Sequence, residues 1–135
     1  MDHPRQHLHI VSPEFTVERL PPARPPGDDW IVQVRAPEGL TVVRAARPHD
    51  TGERWIGFYG GATAHDLDVP GMLAAIVKPL ADAAIPVFVA STFDADLVLV
   101  PRERREEAVV VLEEAGHRVE DAGEPVWPPR WFTSS

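Results

Sequence analysis

At 135 residues with a formal charge of -8, from 13 Lys and Arg against 21 Asp and Glu, the chain suits one compact unit that buries about two-thirds of its unfolded surface without staples. It has no cysteine, which excludes disulfides, thiolate metal ligands and a cysteine nucleophile. The acidic balance disfavours phosphate backbones and anionic lipid, so no nucleic acid and no membrane partner is expected. With no run near the ~20 apolar residues of a membrane span, a soluble, cytoplasmic protein is expected.

In chain order, residues 1–13 read as an N-terminal extension. Residues 14–20 (EFTVERL) alternate as a half-buried strand that the proline-dense segment 21–26 (PPARPP) ends. WIVQVRAPEGLTVVRAA follows, a hairpin whose turn is Ala36-Pro37-Glu38-Gly39. After the loop at 47–53, Trp55 to Tyr59 form a strand closing on Gly60-Gly61. From Pro70 the period lengthens: Leu73, Ile76, Val77, Leu80 and Ala84 make the stripe of an amphipathic helix. Pro79 lies inside that helix, removes the hydrogen bond to the Ala75 carbonyl and is expected to kink the axis. Residues 86–91 and 96–100 read as an antiparallel strand pair. Arg102 to Ala115 reads as a helix stopped by Gly116, and 117–121 (HRVED) as a polar edge strand.

Residues 54–121 thus spell β-α-β-β-α-β, and the expected class is α+β with a ferredoxin-like unit whose two helices cover one face of an antiparallel sheet. Residues 14–53 supply three strands and read as a degenerate half of the same kind. Residues 122–135 form a tail rich in Pro and Trp, whose Trp127, Trp131 and Phe132 either fold back on the sheet or dock on a neighbouring subunit.

The stretch Ser91-Thr92-Phe93-Asp94-Ala95-Asp96-Leu97-Val98-Leu99-Val100, preceded by Pro79 to Phe88, resembles the S-T-aromatic-x-(T/A)-D-x-x-L-V signature of ACT-like proteins related to the cytosolic arginine sensors of animals (CASTOR). The resemblance implies tandem ACT-like units, the first degenerate, and an amino-acid-binding regulatory module, not an enzyme. By the same resemblance, a possible homodimer is expected. The ligand positions it implies are Thr92, Phe93 and Asp96, with the loop into the first helix contributing Asp68, Val69, Pro70 and Gly71. The chain departs from its relatives over Gly60 to His65, and in having Leu97 where an aromatic is common.

The chemistry such a site needs is present in outline. Asp96 can accept the ammonium of a zwitterion, helix-opening amides near Pro70 and Gly71 can donate to its carboxylate, and Phe93 can exclude water. The plainer alternatives stay open: Asp94 and Asp96 as turn formers, Phe93 as core, and an interaction module without a small ligand. No catalytic motif is visible, and no cofactor is expected. His7-Leu8-His9 and His65-Asp66-Leu67-Asp68 carry metal-ligand atoms, but the first pair sits at an end expected to fray and the second lacks a partner at defined spacing. No metal site is expected from either.

Overall fold

The computed structural model describes residues 5–23, 27–60, 71–127 and 129. They form seven strands, β1 (His7–Leu20), β2 (Trp30–Ala36), β3 (Gly39–Ala45), β4 (Trp55–Gly60), β5 (Phe88–Ser91), β6 (Asp96–Pro101) and β7 (Arg118–Pro125), with helices α1 (Met72–Asp82) and α2 (Arg105–Glu114). A single 3-10 turn at Arg102–Arg104 leads into α2. The strands share one sheet in the order β2-β3-β1-β4-β6-β5, and β7 joins it by pairing with β1.

This arrangement corrects the expected ferredoxin-like βαββαβ class. In that class the fourth strand of the unit lies beside the first, which would set β7 against β4. Here β1 takes that place, antiparallel to β4 from Leu8 to Phe15, and β7 pairs in parallel with the outer side of β1. The physical reason lies in the length of β1. Its 14 residues start at His7 rather than at 14, so one side serves β4 while the other serves β7 with its first half and β3 with its second. A register shift between Val11 and Phe15 separates the halves. The result is a mostly antiparallel seven-stranded sheet carrying two short helices.

Two apolar clusters hold the sheet. On one face Leu8, Ile56, Phe58, Val98 and Val100 pack against Ile76 and Leu80 of α1 and Ala108 and Leu112 of α2. On the other, Val11, Phe15, Val43, Leu97 and Leu99 gather with Trp55, Tyr59, Phe88 and Trp127 around them. Gly57 explains why that second face can close. A Cβ there would lie 3.0–3.2 Å from Leu97, Phe15 and Leu99, so the missing side chain is the space those three fill. The C-terminal segment folds back as one of the two tail alternatives requires. The Val126 amide donates to the Ser12 carbonyl at 2.9 Å, and Trp127 meets Phe15 and Tyr59 edge to face at 5.7 and 5.9 Å. Trp131 and Phe132 lie outside the described residues.

Pro79 does sit inside α1, and the bond it removes is replaced from elsewhere in the chain. His117, buried just after α2, places Nε2 2.7 Å from the Ala75 carbonyl while its Nδ1 accepts the Gln6 amide at 3.1 Å. Those two contacts fix the neutral tautomer with the proton on Nε2. Ala75 is the residue four before Pro79, so the imidazole donates to the carbonyl that the proline leaves free.

Candidate ligand site at the β5–β6 turn

The turn between β5 and β6 is built by Thr92. Its hydroxyl accepts the amides of Asp94 at 3.2 Å and Ala95 at 2.9 Å and donates to the Ala95 carbonyl, while its own amide bonds the same carbonyl at 2.7 Å. With its hydroxyl so engaged, Thr92 shapes the turn. The consequence is that Phe93 is thrown outward, 78% exposed, the most exposed large apolar side chain among the described residues. Asp94 is exposed at the tip.

Asp96 opens β6. It is the register partner of Ser91 in β5 and of Gly60 in β4, and Ser91 donates its hydroxyl to Asp96 Oδ1 at 2.6 Å. Among the described residues no hydrogen bond reaches Oδ2. Because Val98 and Val100 lie in the helix-side cluster and Leu97 and Leu99 in the other, alternation turns Asp96 toward the helix side of the sheet.

The opening of α1 comes to the same end. Gln6 Nε2 donates to the Met72 carbonyl at 2.7 Å, and a Cβ at Gly60 would lie 3.5 Å from Gln6 Oε1, 3.8 Å from Ile76 Cδ1 and only 2.4 Å from Leu8 Cδ2. Gly60 is therefore the floor over which the first turns of α1 approach the sheet, next to Asp96 in register. Gly71 caps the helix with φ 86°, no side chain among the described residues bonds the free amides, and the first turn holds no acidic residue. Those amides carry the positive end of the helix dipole. Of the residues named from sequence, Asp96 lies beside Gly60 in register on the helix side of the sheet, Gly71 opens the helix that Gln6 and Gly60 approach, and Thr92 and Phe93 belong to the turn that precedes Asp96. Asp68, Val69 and Pro70, with the whole stretch 61–70, lie outside the described residues.

Gln6 was not legible as part of this region, because it precedes everything that alternates clearly. Ser91 stood in the motif, but only the pairing of β5 with β6 aims its hydroxyl at Asp96.

The segment that carries the turn and both helices also has relatives by sequence. Residues 50–114 match the ACT domain family. The ACT match spans β4 to α2 and includes the turn, so the region described above lies wholly inside it apart from Gln6 and Leu8. A protein of Agobacterium tumefaciens solved by X-ray crystallography is 26% identical with a TM-score of 0.76, over 90% of this chain and 97% of that one. A protein from Vibrio cholerae, described as of unknown function and a possible transport protein, is 20% identical with a TM-score of 0.64, over 78% and 85% of the two chains. The latter likeness is one of fold. No curated protein matches the sequence. Among the described residues no helix is long and apolar enough to cross a membrane.

Proposed function

We propose that the chain is a regulatory module of the ACT type that binds a free amino acid where the β5–β6 turn meets the opening of α1. The observation that carries this reading is the pairing of opposite needs at one end of the sheet. Among the described residues Asp96 keeps one carboxylate oxygen unclaimed while Ser91 orients the other, and the first turn of α1, which no described side chain caps, would offer amide donors on the same side. A zwitterion answers both at once, with its ammonium on Asp96 and its carboxylate on the helix amides. Phe93 would fold over the aliphatic part and exclude water. Thr92 holds the turn in register for that contact, and Asp68, Val69, Pro70 and Gly71 remain the positions that the resemblance adds to the site. The acidic chain makes Arg, Lys and ornithine the first ligands to try, as the resemblance of its motif to that of arginine sensors also suggests.

Thermal unfolding with each of the twenty amino acids and ornithine at millimolar concentration tests the proposal. A ligand at a hundred times its dissociation constant adds ~2.7 kcal/mol, which is a rise of several degrees for a chain of this size. The expected result is a rise with one ligand or a small chemical group of them, reduced about ten- to a hundredfold in affinity by Asp96→Asn. If no amino acid moves the midpoint, the reading is wrong.

A second reading, an interaction module without a small ligand, has its own support. Among the described residues β2 forms an edge of the sheet and exposes Trp30 and Val34, an apolar border that another strand, including that of a second copy, can extend.

A further inference from the structure

On the face opposite the helices, two imidazoles and a carboxylate meet away from the ligand site. His7 and His9 stand two residues apart on β1, so both project from one face, and Glu120 of β7 is the parallel register partner of His9. One ligand atom from each lies within 4.8 Å of the others. The two rings are side by side, with centroids 4.4 Å apart at 42°. His7 Nε2 is 3.2 Å from Glu120 Oε2, yet this buried nitrogen has no hydrogen-bond partner. The imidazole nitrogen and the carboxylate oxygen thus sit at ion-pair distance without hydrogen-bond geometry, an arrangement equally suited to two ligands of one ion.

We propose that His7, His9 and Glu120 bind a divalent transition-metal ion of the zinc class. Two nitrogens and one oxygen are the donor set of a three-ligand zinc site that leaves a fourth position for water. Zinc bonded at ~2.0–2.1 Å to tetrahedral donors spaces them about 3.3 Å apart. The His7–Glu120 pair already has that spacing, and His9, with a ligand atom within 4.8 Å of the others, would close the remaining gap by a side-chain rotation. Arg118 engages Glu120 through Oε1, the oxygen that does not face His7, so it orients the carboxylate while leaving Oε2 to the ion. The half-exposed side chains of His7 and Glu120 leave a path from solvent, and the net charge of -8 attracts cations. The ion would clamp β7 to β1 across the parallel pairing that distinguishes this sheet.

The test uses the full chain without an affinity tag, stripped by a chelator and titrated with Zn²⁺ by calorimetry and with Co²⁺ by visible absorption. The expected result is saturation at one ion per chain, Co²⁺ bands of four- or five-coordinate intensity, and a Zn²⁺-dependent rise in midpoint. His7→Gln, His9→Gln and Glu120→Gln should each weaken binding at least about tenfold, the scale that even an outer-shell partner commands. His3→Gln, His49→Gln and His65→Gln should leave it unchanged. Glu120→Gln alters a half-exposed position and is expected to keep the circular dichroism of the parent, which separates a loss of binding from a loss of fold. Absence of binding, or binding that survives all three ligand substitutions and disappears with His3→Gln or His65→Gln, overturns the proposal.

Discussion

At the scale of single residues, His117 and Pro79 show how an apparent defect is compensated. A proline in the middle of an 11-residue helix strips the Ala75 carbonyl of its partner, and the buried imidazole of His117 supplies the missing proton. The same ring takes up the Gln6 amide, so one side chain joins the N-terminal segment, α1 and the end of α2. His117→Ala should cost about 2–4 kcal/mol, because it leaves a buried donor and a buried acceptor unpaired. Adding Pro79→Ala to that variant restores a local N–H for Ala75 and should recover part of the loss. Denaturant melts of the two single variants and the double measure the coupling, and strict additivity would show that the two sites act independently. Pro79 was readable as a helix blemish from sequence, but its partner was not. Nothing local links residue 117 to residue 75.

At the scale of elements, β1, β3 and the loop that follows β3 are tied by one buried cation. Arg44 bonds Asp50 through two nitrogens at 2.8 and 2.9 Å and Glu18 on β1 at 2.6 Å, while Asp50 also accepts the Arg47 amide at 2.6 Å. The Arg44 guanidinium, helped by the Arg47 amide, holds the Asp50 carboxyl well below the usual carboxylate range. Its folded value is thus lower than its unfolded one of ~3.9. The stabilisation it gives is full above the unfolded value and is lost as pH falls through the folded one. Midpoints of the parent and of Asp50→Asn, measured from pH 7 downward, should differ near neutrality and draw together below about pH 4. Parallel curves across that range would remove the cluster from the account.

The elements themselves were largely legible. The hairpin around Pro37-Glu38, both helices and the β5–β6 pair follow from periodicity and turn chemistry. The opening of β1 was missed although His7-Leu8-His9-Ile10 alternates, because polar residues on one face and Pro13 downstream mimic a frayed end. That miss carried others with it, for without a strand at His7 neither Glu120 nor Gln6 has a neighbour to act on.

At the scale of the molecule, the sheet order decides what the chain can offer. Inserting β1 between β4 and β7 moves the closing strand outward and puts Leu8 and Gln6 beneath the start of α1. The candidate site is therefore assembled from both halves of the chain. The order of strands depends on long-range pairing, which hydrophobic period does not encode, so the ferredoxin-like expectation followed from element order alone. The β5–β6 turn was legible for the opposite reason, since Ser91 to Asp96 make their contacts within six positions of one another. Meanwhile Trp127 covers part of the second face, which leaves the β2 edge as the exposed apolar border for the rival reading.

The most direct measurement is the amide spectrum of the isotopically labelled chain, recorded while the amino acid giving the largest thermal shift is titrated in. The account predicts that the perturbed amides concentrate at Met72 and Leu73 and from Ser91 to Asp96, and that Asp96→Asn abolishes the pattern at the same concentration. Perturbations confined to β2 and β3, or none with any amino acid, would contradict it.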